Sequence, residues 1–151
     1  MRAWLVAAIV AAASPAACAR APVDSTPEGA VESFLRDLDD APRDPAAATR
    51  AYSLLAPDAR EALRLRAERA RSITGQRATP ESMLVPMWSP ARFEIDRVKA
   101  RPGADAAHAL VDVFGVDPGV QHVTVPVVRE GDRYRIVLSV PPIASIDPPS
   151  P

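Results

Sequence analysis

The chain is short of several things at once. It has one cysteine, Cys18, so no intramolecular disulfide can staple the fold and the core must hold it alone. Aromatic residues make up 5% of the 151 residues. Lysine occurs once, as Lys99, and the formal net charge is −1. That balance gives no basic face for nucleic acid. There are two histidines, His108 and His122, and no second cysteine to help either hold zinc. No glycine-rich phosphate loop, nucleophile motif or internal repeat is present. The length suits one domain. What the chain has in plenty is proline, 17 residues, gathered at the ends and between elements where proline punctuates structure.

The N-terminus reads as an address. Met1-Arg2 is a short positive start, and residues 4–13 (WLVAAIVAAA) are an apolar run of ten. A spanning helix needs about 20 such residues, so the run fits the apolar region of a signal peptide over residues 1–17. It ends at Ser14-Pro15-Ala16-Ala17-Cys18. Those last residues resemble the bacterial lipobox: Ala16, Ala17 and Cys18 match, while Pro15 stands where leucine is usual. The resemblance implies that Cys18 is the first residue of the mature chain and carries a diacylglyceryl thioether. Two acyl chains make a firm anchor where one does not. The rival is ordinary cleavage after Ala19, with Ala17-Cys18-Ala19 as the small-x-small site. Ala19, not aspartate, follows the cysteine. By resemblance to proteobacterial sorting that implies the outer membrane of the cell envelope, with the domain in the periplasm. Losing Arg2 makes the mature chain one unit more negative. Residues 18–26 then read as a lipid-anchored tether, 27–142 as the folded domain and 143–151 as a disordered proline-rich tail.

Within the domain, helices precede strands. Ser25 and Glu28 fit a capping box around Pro27, and Val31, Phe34, Leu35 and Leu38 recur on one helical stripe. Ala48, Ala51, Tyr52 and Leu55 write a second helix. Pro57, with Asp58 and Glu61 as a second capping box, opens a third that carries Ala59, Leu63, Ala67 and Ala70 to Gly75. The arginines of that helix read as a solvated face partnered by Glu61 and Glu68. Thr79-Pro80 starts a short helical turn with Met83, Leu84, Met87 and Trp88. After Pro90 the period becomes two. Four strands are expected near 92–99, 106–116, 120–130 and 133–140. A turn at Glu130-Gly131 pairs Val127 with Tyr134, Val125 with Ile136 and Val123 with Leu138. A three-residue turn at 117–119 pairs Val113 with Val123 and Val111 with Val125. A three-residue turn at 102–104 pairs Ile95 with Val111 and Phe93 with Val113. One apolar face thus crosses all four strands. The expected core is Val123, Val125, Val127, Ile136 and Leu138 against Phe34, Leu35 and Leu63. The class is α+β: three N-terminal helices packed on a curved four-stranded antiparallel meander sheet.

The segments TPEGAVESFL (26–35), AYSLLAPDAREAL (51–63) and VPVVREGDRYRIVLSVPP (125–142) resemble the nuclear transport factor two-like superfamily, and most closely its exported bacterial lipoproteins. Tyr134 stands where those lipoproteins often have tryptophan. The short first strand often found in the fold is not evident. The resemblance implies a cone with a pocket at its wide end, where the superfamily's enzymes place Asp, His or Tyr. In the register above, His108 faces Val128 and His122 faces Phe114. That places both on the outer face, on the order of 20 Å apart, so they do not share a metal or form a dyad. Asp96 and Asp112 also fall outside. Tyr52 and Tyr134 point inward, and Arg97 is the one inward-registered charge unless the edge strand kinks after Ile95. The candidate pocket is therefore Tyr52, Met83, Met87, Trp88, Arg97 and Tyr134, with no catalytic set, no metal and no cofactor. Two functions remain open. One is a non-enzymatic envelope lipoprotein that binds a small apolar ligand or a protein partner. The other is a cone-pocket enzyme of isomerase, dehydratase or hydrolase type. Leu110, Phe114, Val137 and Val98 on the outer face raise a homodimer as one use of that surface.

Overall fold

The computed structural model describes residues 21–87, 94–116 and 122–141, with the backbone alone for 85–87. Residues 1–20 with the signal segment and Cys18, Trp88, Phe93, the 117–119 turn and the tail from 143 lie outside the described residues.

A 3-10 turn, Val23–Ser25, opens the domain. Helix α1 spans Pro27–Asp40. Its cap is Thr26, not a box of Ser25 and Glu28: the Thr26 hydroxyl accepts from the Gly29 N–H at 3.1 Å. Glu28 is used elsewhere, accepting the N–H of Ala100 at 3.0 Å. Helix α2, Pro45–Ser53, is capped by Asp44, which accepts from Ala46 N–H at 2.9 Å. Helix α3, Pro57–Thr74, has Ala56 at its cap position and no side-chain cap. The expected Asp58–Glu61 box is absent because Glu61 turns toward Arg64, which it pairs at 2.6 Å. Arg64 also bonds Glu68, one turn on, so this face is the solvated one the sequence suggested. The helix ends at Gly75, whose φ is +67°. A fourth helix, α4 at Pro80–Met87, replaces the expected short turn. Thr79 and Ser82 start it by exchanging bonds between hydroxyl and N–H at 3.0 and 3.2 Å.

The strands are β1 (Ile95–Pro102), β2 (His108–Gly115), β3 (Val123–Glu130) and β4 (Arg133–Ile136), in the order β1-β2-β3-β4 and antiparallel throughout. The fold is α+β with a four-stranded meander, as the patterning implied. The β2–β3 register is the expected one, with Val111 opposite Val125 and Val113 opposite Val123. The β3–β4 register is two residues off. Val127 meets Ile136 and Arg129 meets Tyr134, because the turn residues are Gly131 and Asp132. A slip of two keeps every side chain on its expected face.

Strand β1 departs more. Val98 pairs with Val113 and Ala100 with Val111, where the sequence reading had Ile95 opposite Val111. The connecting loop has four residues, 104–107, between the paired Gly103 and His108 (Gly103 N–H to His108 carbonyl, 3.0 Å). The Asp105 carboxylate accepts the N–H groups of Ala107 and His108 at 2.8 and 3.1 Å and sets this longer loop. A side chain at position 103 would put its Cβ 2.7 Å from the His108 carbonyl carbon, so only glycine fits. An even loop in place of an odd one exchanges the faces of β1. Val98 and Ala100 therefore pack on the core and Arg97, Lys99 and Arg101 point outward. A bulge between Ile95 and Arg97 exchanges the faces again, and Ile95 returns to the core side.

The core lies between the helices and one face of the sheet. Val31, Phe34, Leu55, Leu63, Leu84, Val111, Val113, Val127 and Ile136 are almost fully buried. Each such side chain contributes about 1.5–3 kcal/mol relative to exposure. Val123 was expected there but is 45% exposed, since it ends the paired ladder opposite Val113. Leu35 and Leu138 are partly buried against the cluster. Both sheet edges are covered in part. Ile136 exchanges 2.8 Å bonds with the Leu54 carbonyl and the Ala56 N–H beyond β4, and Glu28 takes the Ala100 N–H of β1.

Candidate functional site

The space between the helices and the sheet is the first place a site would be. Tyr52, on α2, is partly buried and packs on the core. Its hydroxyl donates to the Arg60 carbonyl at 3.2 Å. Burial first, then the charge of Glu81, pushes its pKa above the ordinary tyrosine value. It is thus a neutral donor already spent on the backbone. Tyr134 and Met83 are likewise half-buried against the same cluster. Met87 ends α4 with its side chain outside the described residues, as is Trp88. Arg97 is not in this group. It lies on the outer face with its guanidinium 4.5 Å from the Phe114 ring centre, put there by the four-residue 104–107 loop that sets the β1–β2 register. Of the six candidate pocket residues, the structure brings Tyr52, Met83 and Tyr134 to one core and removes Arg97. Among the described residues the one buried polar or charged side chain is Asp24, which lies in the 3-10 turn.

The outer face carries polar rows. Arg97, Phe114 and His122 stand side by side on β1, on β2 and just before β3, with the Phe114 and His122 rings stacked at 5.6 Å. The next row is Asp112 with Thr124 at 2.7 Å and Arg101 at 3.0 Å. The Thr124 hydrogen bond is the largest influence on Asp112; burial opposes it, and Arg101 adds to it, so the carboxyl is held below its ordinary range. The apolar patch expected here shrinks: Val98 is inside, and Phe114 is flanked by Arg97 and His122. Leu110 and Val137 remain. His108 and His122 lie at opposite ends of the ladder, as the register required. Among the described residues no group of His, Cys, Asp or Glu is arranged to hold a metal.

An open groove of about 390 Å³ lies where the start of α3 meets the sheet, lined by Ala56–Ala59, His108, Val128, Glu130, Val137 and Leu138. His108 Nδ1 is 2.7 Å from Asp105 Oδ1, the orientation of a base held by a carboxylate. Both side chains are well exposed, however, and water screens such a pair. None of the described lining residues is Ser, Thr or Cys, so the groove offers His108 no nucleophile to activate.

The most buried charge in the described domain lies in none of these places. Asp24, in the 3-10 turn, is 4% exposed. Its Oδ2 accepts from Arg135 at 2.6 Å and from Arg133 at 3.4 Å, while Oδ1 is buried without a partner among the described residues. Glu130 stands 3.7 Å from the other side of Arg135. Burial is the largest influence on Asp24 and pushes its pKa up. The Arg135 hydrogen bond and the two guanidinium charges outweigh it, so the carboxyl titrates below 3.8. The sequence reading had placed Asp24 in the tether. Its partners are 109 and 111 residues away, and nothing local announced them. Residues 22–25 are therefore part of the fold, where the sequence reading had a tether up to 26.

No protein-family profile, curated protein or solved structure matches the chain.

Proposed function

We propose that the chain is an exported bacterial envelope lipoprotein with a nuclear transport factor two-like domain, anchored through Cys18 and acting by non-enzymatic binding of a protein partner. The observation that carries this reading is the close packing of the core among the described residues. Where a cone-pocket enzyme keeps polar groups in an open cavity, Phe34, Leu63, Leu84, Val111 and Ile136 close on one another at 1% exposure or less. A small apolar ligand needs a concave space of about 300–1,000 Å³. Within the described core it would have to displace those side chains, at a cost of about 2–5 kcal/mol for each lost packing position. The 390 Å³ groove at the start of α3 is an open surface cleft, not an enclosed pocket. A protein partner needs only surface.

Two measurements test the reading. Membrane fractionation of the full chain against Cys18→Ser tests the anchor: the variant moves to the soluble fraction, and an unchanged distribution rejects it. Titration with an environment-sensitive apolar dye tests the closed interior. Native protein shows no saturable binding, and one tight stoichiometric site would restore the small-ligand reading.

A further inference from the structure

We infer that the Asp24 ion pair is a strap lock that shortens the lipid tether and turns one corner of the domain, the 3-10 turn with the β3–β4 turn, toward the lipid headgroups. The inference rests on the anchor at Cys18 and goes beyond it by naming the face that meets the membrane.

The lock is visible in three contacts. Asp24 is clamped to Arg135 and Arg133 of β4. The Ser25 N–H closes the turn on the Pro22 carbonyl at 3.0 Å. The turn also lies directly on α1: a side chain at Gly29 would place its Cβ 2.2 Å from the Val23 carbonyl oxygen, so glycine makes the close approach possible. Pro22 is therefore fixed to the domain.

Reach follows from chain geometry. An extended chain covers at most about 3.3–3.6 Å per residue. A tether running free to Pro27 would reach about 30 Å from Cys18; one pinned at Pro22 reaches about 14 Å. Crossing the headgroup layer uses about 5–7 Å of that. The remainder is smaller than the radius of a domain of this length, about 17 Å. The domain cannot turn freely over the anchor, and the corner bearing Pro22 must stay at the lipid surface.

That corner has a composition suited to the place. Val23 is a 61% exposed aliphatic side chain on the turn itself. Arg133 is half-exposed beside it, and Arg129 is exposed at the end of β3 with its Nε bonded to the Gly131 carbonyl at 3.0 Å. Asp24, Glu130 and the exposed Asp132 offset these cations, so the corner is near neutral. The short reach with the aliphatic Val23, not net charge, suits it to the lipid surface. The opposite end of the sheet, at Gly115 and Val116, is about 25 Å away along the strands and faces the compartment.

The test uses the full lipidated protein in vesicles of phosphatidylethanolamine with a minor share of phosphatidylglycerol. A bimane label is placed at Asp132→Cys, next to the turn, or at Val116→Cys, at the far end, both exposed sites. Nitroxide-headgroup lipid quenches the first several-fold more than the second. A Gly-Ser insertion of a dozen residues after Arg20 leaves the domain untouched and abolishes the contrast. Asp24→Asn weakens it. Equal quenching at the two sites, or a contrast that survives the insertion, overturns the strap orientation while leaving the anchor intact. An intact mass without lipid on Cys18 overturns both, and that is read before any quenching is measured.

Discussion

Removing the Asp24 carboxylate tests whether the 3-10 turn is part of the fold. Asp24→Ala leaves Arg135, itself mostly buried, with its 2.6 Å partner gone. Breaking a buried pair from one side costs about 3–5 kcal/mol. The lower end applies here. Arg133 is half-exposed and returns to water, and Glu130 at 3.7 Å partly compensates Arg135. We expect a loss of about 3 kcal/mol for Asp24→Ala. Asp24→Asn keeps one acceptor and should lose about 1.5 kcal/mol. For a domain of this length the alanine variant should melt roughly 10–15 °C lower. The effect has a pH signature. The folded carboxyl titrates below the ordinary 3.8, so its stabilisation is present above that value and lost as pH falls through the folded value. Urea denaturation at a series of pH values should show the wild-type and alanine curves well apart at neutral pH and converging below about pH 4. A neutral-pH difference under about 0.5 kcal/mol, or one that persists unchanged into acid, would refute the buried pair and with it the pinned tether.

The other expectations are simpler. Ile136→Ala, at the point where β4 meets Leu54–Ala56 and the core, should cost about 2–5 kcal/mol by urea denaturation; a cost under about 1 kcal/mol would place another face inside. Gly103→Ala forces a Cβ against the His108 carbonyl and should cost about 1–3 kcal/mol, read by thermal melting; a neutral outcome would mean the 104–107 loop is longer or looser than described. For the outer face, sedimentation of the domain from residue 22 onward at tens of micromolar should give a monomer, because Arg97 and His122 flank Phe114 and Asp112 is already paired. A dimer that Phe114→Glu converts to a folded monomer would establish the homodimer instead.

How far the sequence could be read depended on parity. The β2–β3 pairing was legible because Val111, Val113, Val123 and Val125 alternate cleanly and one odd turn joins them. The β3–β4 pairing was misjudged by two residues, and the period of two forgave it: Tyr134 and Ile136 stayed inside. The β1–β2 pairing was not forgiven. Pro102-Gly103 marks a turn, but the deciding residue is Asp105, whose carboxylate holds a loop of four. That single extra residue moved Val98 in and Arg97 out. The bulge at Asp96 then restored Ile95, so a correct inward Ile95 came from two errors that cancel. Loop length and bulges are local geometries that hydrophobic alternation does not encode.

The candidate site was legible to the same extent. Tyr52, Met83 and Tyr134 were found at the core because apolar periodicity locates cores. What periodicity cannot locate is a polar contact between distant segments. The run ARAPVDST carries only small, polar and proline residues, which is the composition of a linker. One aspartate in it becomes structural because Arg133 and Arg135 alternate with Tyr134 and Ile136, so both cations leave the core side of β4 together. Two arginines two residues apart beside a single Glu130 are a surplus of positive charge on one strand face. That surplus was the readable half of the pair. The anionic half could be found only by asking which nearby segment was free to fold back and supply it.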